Sequence, residues 1–197
     1  MITTPCPDRL TSHPADSAWA LYGLAGNPPH AGHWACVRQL LDLGHNVLVA
    51  PSYAHAFGKE MAPFEKRLTW LEEALHDFGF DCKRVIVWRA EKIIAERQVN
   101  AGPIYSIEML RYAQEQYGGN VALALGPDNA APSVFSRFHQ HDVIAREHGL
   151  VVLKETAGVR STIIRKKIIE GTMSVKELSS FVGPTIAPSV LQYFGKI

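Results

Sequence analysis

Two histidines, His30 and His33, follow a short apolar run in the stretch GLAGNPPHAGH. Gly23 and Gly26 let the backbone approach a ligand that a Cβ would hold away, and two prolines fix the turn between them and the histidines. On the first turn of a helix, imidazoles three residues apart share one face near the positive end of the helix dipole. Backbone N–H groups, that dipole and two imidazole donors suit an anion such as a polyphosphate. The stretch therefore predicts a phosphate site at a helix start.

A zinc site is the main alternative for this pair of histidines. The helix of a metalloprotease has its histidines four residues apart with a glutamate beside the first, and no such glutamate follows His30. The chain also contains neither G-x-G-x-x-G nor G-x-x-x-x-G-K-[ST], so a dehydrogenase or P-loop interpretation is weak. Phosphate binding without either glycine fingerprint is the favoured interpretation.

A second candidate phosphate site lies in GVRSTIIRKKIIEG, more than a hundred residues later. Ser161 and Thr162 are good residues for a helix N-cap, and Arg165 lies one turn further on the same face as Ser161. A hydroxyl at the cap and an arginine fork together form a phosphate clamp. The alternative is an ordinary capped helix with a solvated basic turn.

Buried strands alternating with amphipathic helices must position these residues. The strands are predicted in AWALYGLA, HNVLVAPS, KRVIVWRA, NVALALG and GLVVLKE. The helices are predicted from Trp34 to Gly44, in APFEKRLTWLEEALHDFG, IYSIEMLRYAQEQYGG and PSVFSRFHQHDVIAREH, and from Ser161 to about Gly171, before a mixed tail. Strands without polar alternation, separated by helices, predict an α/β fold with a parallel, doubly wound sheet covered on both faces. Ligands bind such sheets beyond the carboxyl ends of the strands, where the strand order reverses.

The composition predicts one globular domain over 18–197, preceded by an irregular extension over 1–17. The 197 residues are 47% apolar and 20% charged, with a net charge of +1, which argues against a broad surface for nucleic acid or membrane. Three cysteines, Cys6, Cys36 and Cys82, show no paired spacing, which favours a reducing compartment. No apolar run approaches the length of a membrane span, so we expect a cytoplasmic protein.

The two phosphate motifs together resemble the HxGH nucleotidyltransferase superfamily, through GNPPHAGH and STIIR. Between and after them, VAPSYAHAFGKEMAPFEKRLTWL, IYSIEML, LGPDN and FVGPTIAPSVLQYF resemble segments of the nicotinate and nicotinamide mononucleotide adenylyltransferases. The resemblance covers nearly the whole chain from Trp19 onward. It implies a Rossmann-like domain with a small C-terminal helical tail. The implied reaction transfers AMP from ATP to a pyridine mononucleotide, with release of pyrophosphate.

The resemblance also implies roles for individual residues. The implied catalytic residues are His30, His33 and Arg165. The implied ATP-binding residues are Gly23, Gly26, Asn27, Gly126, Asp128, Ser161 and Thr162. The implied mononucleotide-binding residues are Lys59, Arg67, Tyr105 and Ser106. The alternatives are a simple turn aspartate for Asp128 and a surface charge for Arg67.

Mg²⁺ is the expected cofactor, held mainly by phosphates and water and not by a dedicated set of carboxylates. ATP and a pyridine mononucleotide are the expected partners, without nucleic acid or membrane, and homo-oligomerisation stays open.

The chain departs from the family pattern at several positions. Gly26 and Asn27 stand where the family commonly has Phe and Asp, Arg160 where it has Ser, and Ser106 where it has Thr. No tryptophan that could stack on the pyridine ring is evident after Asp128, and the substitutes would be Phe135 or Phe138. Two other functions stay open: a related nucleotidyltransferase whose acceptor is phosphopantetheine or an alcohol phosphate, and a non-catalytic ATP sensor. The sequence does not decide between nicotinate and nicotinamide mononucleotide.

Overall fold

A computed structural model of the protein describes residues 19–53, 60–98, 103–154 and 158–196. The predicted N-terminal extension and Lys59 lie outside the described residues. No helix in these four ranges is both long enough and apolar enough to span a membrane.

Five strands form one parallel sheet in the order β3-β2-β1-β4-β5. Their bounds are β1 Trp19–Leu24, β2 Asn46–Pro51, β3 Val85–Val87, β4 Val121–Leu125 and β5 Leu150–Val152. In the register of the sheet, Tyr22 of β1 pairs with Val49 of β2 on one side and with Ala124 of β4 on the other. The predicted α/β fold with a doubly wound parallel sheet is confirmed.

Ten helices and one π-helical turn accompany the sheet in the described ranges. Their bounds are α1 Ala31–Asp42, α2 Phe64–Asp77, α3 Ala90–Arg97, α4 Ser106–Tyr117, α5 Pro127–Ala130, α6 Pro132–Phe135, α7 His141–Val143, the π-helical turn Ile144–His148, α8 Ser161–Ile169, α9 Val175–Val182 and α10 Ala187–Phe194. The mixed tail thus forms the helices α9 and α10.

The sheet separates two apolar cores because successive side chains of a strand point to opposite faces. Ala20, Tyr22 and Leu24 of β1 join the core formed with α1, α2, α8, α9 and α10. Trp19 and Leu21 join the core formed with α3, α4 and the π-helical turn. The strands are therefore covered on both faces, which explains why they lack polar alternation.

Two segments differ from the sequence-based prediction. Helix α3 follows β3 where no helix was predicted. The segment after β4, predicted as one helix, consists of short helices, because Gln140 adopts a left-handed φ of 53° that a continuous helix does not allow.

The strand order reverses between β1 and β4. The chain leaves β1 toward β2 and β3 on one side of the sheet, while β4 is followed by β5 on the other side. A crevice between the loops after β1 and β4 is the expected ligand site of such a sheet. Both candidate loops of the sequence analysis, the one with the histidines and the one with Gly126 and Asp128, begin at this edge.

Candidate active site

His30 and His33 lie together at the start of α1, in a segment of residues 25–33 that we call the histidine turn. His30 precedes the helix with an extended backbone (φ −153°, ψ 169°), and His33 lies in the first helical turn. The His30 N–H donates to Nδ1 of His33 at 3.1 Å, and the Gly32 N–H donates to Nδ1 of His30 at 3.2 Å. The ring centroids are 3.8 Å apart. Backbone donors thus fix both rings.

These two hydrogen bonds select the tautomer of each imidazole. A backbone N–H can only donate, so each Nδ1 must carry a lone pair and the proton of each neutral ring must be on Nε2. Burial lowers the pKa of His30 from 6.5 to about 4. Burial, and then the neighbouring His30, lower the pKa of His33 well below its usual value. Near neutral pH the site therefore holds two uncharged rings, each with an Nε2–H donor.

Two glycines of the histidine turn have structural reasons for lacking a side chain. A Cβ on Gly32 would lie 3.0 Å from Cε1 and 3.1 Å from Nδ1 of His30, so the absence of a side chain makes room for that ring. Gly26 has a φ of 58°, which favours glycine, and a Cβ there would approach Leu71. Gly23, in contrast, is exposed, and a Cβ there would contact nothing within 4 Å.

The start of α8 contacts the histidine turn directly. Nη1 of Arg165 donates to the Asn27 carbonyl at 2.5 Å, and the Ser161 hydroxyl donates to the Pro28 carbonyl at 3.0 Å. Nη2 of Arg165 also donates to the Thr162 hydroxyl at 3.4 Å. The two distant phosphate motifs therefore meet in space. A guanidinium has five N–H donors, so these contacts leave donors for a phosphate.

Ser161 differs from its predicted position as an N-cap. The N-cap of α8 is Arg160, whose backbone is extended, and Ser161 is the first helical residue. The Ser161 hydroxyl is therefore not used as a cap, and it reaches across to the loop after β1 instead. Its role in the fold is to join α8 to the histidine turn.

The loop after β4 supplies a carboxylate at the same edge of the sheet. Gly126 is the N-cap of α5, and Asp128 lies in the first turn with a side chain that is 81% exposed. Arg160, 62% exposed, lies 3.8 Å from the Asp128 carboxylate. This ion pair links the loop after β4 to the start of α8.

The predicted mononucleotide residues have different surroundings. Tyr105 is the N-cap of α4, with its ring 4.4 Å from that of His139, and Ser106 is the first helical residue. Arg67 is 1% exposed and donates to three backbone carbonyls, described below. The predicted contacts of Tyr105, Ser106 and Arg67 with a mononucleotide stay predictions. Phe135 and Phe138 are partly buried against the core beside α4, with centroids 5.5 Å apart.

Two side-chain contacts near the site were not predicted from the sequence. The side chain of Asn27 is buried, and its Oδ1 accepts the N–H of Ala62 at 3.0 Å. Glu91, in the first turn of α3, accepts the N–H of Tyr53 after β2. Burial raises the pKa of Glu91 to about 7, against the lowering effects of the Tyr53 N–H and of the Arg67 charge. The only available signal for Glu91 was its place shortly after a strand.

Metal-ligating side chains do not cluster in the described part of the chain. Within it, no group of three or more His, Cys, Asp or Glu side chains could hold a metal ion. The two imidazoles do not act as a ligand pair in this form, because each Nδ1 accepts a backbone N–H and each Nε2 carries the ring proton, so neither ring has a free lone pair. The donor set fits an anion better than a cation.

Comparison with known proteins agrees with these observations. No protein-family model matches the chain. A curated relative from Anaeromyxobacter dehalogenans, named nicotinate-nucleotide adenylyltransferase, is 44% identical over 54 residues, which is 25% of this chain and 27% of that protein. A relative of the same name from Thermotoga maritima is 27% identical over 141 residues, which is 70% of this chain and 62% of that protein. The matches thus span less than two thirds of these relatives.

Solved structures share the fold over most of their length. A nicotinate-nucleotide adenylyltransferase from Vibrio parahaemolyticus superposes with a TM-score of 0.71 at 23% identity, covering 92% of this chain and 97% of that one. Nicotinic acid mononucleotide adenylyltransferase from Plasmodium falciparum, solved in complex with NaAD, has a TM-score of 0.71 at 10% identity and covers 90% of this chain and 96% of that one. The resemblance indicated by the motifs is therefore confirmed: in sequence this chain is similar to nicotinate-nucleotide adenylyltransferases, and it shares the Rossmann-like α/β fold of the solved structures.

Proposed function

We propose that this protein transfers the adenylyl group of ATP to nicotinate mononucleotide, giving the dinucleotide and pyrophosphate. The observation that carries the proposal is the meeting of the two phosphate motifs, in which Arg165 and Ser161 hydrogen-bond to the carbonyls of Asn27 and Pro28. One triphosphate can then be bound from both sides, by imidazoles at the start of α1 and by a guanidinium, the Thr162 hydroxyl and backbone N–H groups at the start of α8. The names of the curated relatives support nicotinate as the base.

The reaction needs positioning and charge stabilisation more than proton transfer. The 5′-phosphate of the mononucleotide is ionised near neutral pH, so it attacks the α-phosphorus of ATP without a general base, while the bond to the bridging oxygen of pyrophosphate breaks. Neutral His30 and His33 donate from Nε2 to the α- and β-phosphates. Arg165, with the Thr162 hydroxyl and the backbone N–H groups of Ser161 and Thr162 at the start of α8, binds the β- and γ-phosphates. These donors stabilise the charge that develops on the leaving group.

The remaining predicted residues are assigned to the two nucleosides. Gly23, near the end of β1, and Gly26 and Asn27, in the histidine turn, are assigned to the ATP side of the site. Gly126 and Asp128 lie at the carboxyl end of β4, where a carboxylate can accept from ribose hydroxyls. On the mononucleotide side the proposal includes Lys59, Tyr105 and Ser106.

We expect ATP to bind as its Mg²⁺ complex, because the described residues offer no cluster of carboxylates for the ion. Phosphate oxygens and water are the ligands that Mg²⁺ prefers in such complexes. The metal thus belongs to the substrate, and the residues of this chain act on the phosphate oxygens through hydrogen bonds.

Release of pyrophosphate tests the proposal. The protein is incubated with ATP, Mg²⁺ and one acceptor at a time: nicotinate mononucleotide, nicotinamide mononucleotide or phosphopantetheine. We expect the highest kcat/KM with nicotinate mononucleotide, together with formation of the dinucleotide. Preference for phosphopantetheine would identify the protein as a related nucleotidyltransferase with a different acceptor. ATP binding without release of pyrophosphate for any acceptor would support a non-catalytic ATP sensor and would overturn the proposal.

A further inference from the structure

The side chain of Arg67 binds backbone atoms of three separate segments of the protein. It is 1% exposed and lies on the first turns of α2. Nε donates to the Ala62 carbonyl at 2.8 Å, Nη1 to the Ala25 carbonyl at 2.7 Å and Nη2 to the Ser52 carbonyl at 2.7 Å. One guanidinium therefore joins the loop after β1, the residue that follows β2 and the segment that leads into α2.

Two of these three contacts lead directly to the histidine turn. Ala25 is the first residue of the turn, and Ala62 donates its N–H to the buried side chain of Asn27. Arg165 binds the Asn27 carbonyl from α8. Arginines from two different helices thus hold the carbonyls on either side of Gly26, whose φ of 58° sets the direction of the chain between them. Side chains of α2 and α8 therefore fix the turn on either side of Gly26, ahead of the two histidines.

The charge of Arg67 is maintained at this buried position. Burial lowers the pKa of Arg67, and the negative charge of Glu91 opposes that effect. Glu91 in turn accepts the N–H of Tyr53, the residue after Ser52, so it supports the same loop that Arg67 binds. A lysine would keep the charge, but its three N–H donors leave from one nitrogen, whereas the three carbonyls are bound by three different nitrogens spread across the planar guanidinium.

We propose that Arg67 is a positioning residue, which fixes the histidine turn for reaction, and is not a ligand of the mononucleotide phosphate. This inference rests on the proposed function for its kinetic consequences. Its structural part, that Arg67 fixes the position of the His30 ring, does not depend on which acceptor the protein uses.

The substitution Arg67→Lys separates positioning from ligand binding. Three quantities are measured in the full chain: the pKa of His30 by NMR titration, kcat for release of pyrophosphate, and KM for nicotinate mononucleotide. The matched control is Arg84→Lys. Arg84 also binds through two of its nitrogens, to the Asn46 side chain at 3.2 Å and to the His45 carbonyl at 3.1 Å, but both partners belong to one segment at the amino end of β2.

For Arg67→Lys we expect the pKa of His30 to rise from about 4 toward 6.5, because a displaced turn exposes the ring. We expect kcat to fall by about 10²-fold, since misplacement of a catalytic group by about 1 Å has that effect, while KM for the mononucleotide stays nearly constant. Arg84→Lys should change none of the three.

Two results would overturn the inference. A rise in KM of about tenfold with an unchanged pKa of His30 would make Arg67 a ligand of the mononucleotide. A lower melting temperature with unchanged kcat and unchanged His30 pKa would give Arg67 a merely structural role.

If the wild-type protein releases no pyrophosphate, the proposed function fails, and the NMR titration still decides whether Arg67 positions His30. If Arg67→Lys does not fold, Arg67→Met replaces it, because an uncharged side chain of similar length fills the buried space and loses all three contacts; an unmoved His30 pKa would then contradict the link.

Discussion

The rings of His30 and His33 lie with centroids 3.8 Å apart and planes inclined by 32°, and each ring accepts a backbone N–H at Nδ1. Two imidazolium cations would repel each other at this distance, and burial also disfavours their charged forms. The pair therefore acts as two neutral donors held in fixed directions. A phosphate then meets preorganised N–H dipoles, and no side chain must reorient during the reaction.

Replacing His33 by alanine should separate catalysis from stability. His33→Ala removes one Nε2–H donor and the acceptor for the His30 N–H. We expect turnover to fall by about 10²–10³-fold, the usual effect of losing one oxyanion donor. The free energy of unfolding should fall by only about 1 kcal/mol, for one lost hydrogen bond. Release of pyrophosphate and urea unfolding measure the two effects.

The control for this substitution is His76→Ala, which removes an exposed histidine near the end of α2. It should leave turnover unchanged. Near wild-type turnover in His33→Ala would show that the histidine pair does not take part in catalysis.

The low pKa of His30 predicts a loss of stability in acid. The unfolded chain protonates this imidazole at its ordinary pKa of 6.5, and the folded protein only at about 4. Between these values the unfolded state binds more protons, so stability falls as the pH falls through that window, by about 3 kcal/mol in total. His30→Asn keeps a good N-cap and removes the titrating ring.

Urea unfolding of wild type and His30→Asn, at about pH 7.5 and about pH 4.5, measures this effect. The difference in unfolding free energy between the two proteins should shift in favour of the variant by about 2–3 kcal/mol on acidification. A parallel decline of both proteins would show that His30 is not buried as a neutral group. The variant should also lose turnover, because asparagine does not place a donor where Nε2–H lies.

Gly32→Ala tests the space beside the His30 ring. The new Cβ would lie 3.0 Å from Cε1 of that ring and 3.4 Å from the carbonyl of Val159, so the ring must move. A displacement of about 1 Å is expected to lower kcat by about 10²-fold. Helix propensity opposes any loss of stability, since alanine is favoured over glycine in a helix by about 1 kcal/mol.

Gly158→Ala is the matched control, because a Cβ at that nearby position would contact nothing within 4 Å. The expected result is a folded Gly32→Ala protein with low activity beside an unaffected Gly158→Ala protein. Equal activity in both would mean that the position of the His30 ring does not limit the reaction.

Periodicity predicted the sheet and the approach of the two phosphate motifs. Apolar runs such as that of β1 reflect burial on both faces, and parallel strands bring their carboxyl ends to one edge. The contact of Arg165 with Asn27 depends on this topology and on few side-chain details. Helix α3 was missed because it is short and only Ala90 in it is buried.

The burial of Arg67 was predictable from its spacing in the sequence. Arg67 lies three residues after Phe64 and four before Leu71, which places it on the buried stripe of α2 and not on its surface. A charged residue at such a position indicates buried partners. The identity of those partners could not be predicted, because they are backbone carbonyls of Ala25, Ser52 and Ala62, and every residue has such a group.

Glu91 should reduce the stability of the folded protein above neutral pH. Burial raises the pKa of its carboxyl from 4.5 to about 7, so the folded state keeps a proton that the unfolded state releases. The free energy of unfolding is therefore highest, with respect to Glu91, below the unfolded pKa of 4.5, and it decreases as the pH rises through about 7.

The substitution Glu91→Gln keeps an acceptor for the Tyr53 N–H without a charge. We expect the variant to be more stable than wild type by about 1–3 kcal/mol at about pH 8, with the difference vanishing near pH 4.5. Urea unfolding at both pH values measures this, and Glu115→Gln, at an exposed position of α4, is the control. A variant that is less stable at about pH 8 would mean that the attraction between Glu91 and Arg67 outweighs the cost of burying the carboxylate, because the ionised group would then stabilise the loop after β2.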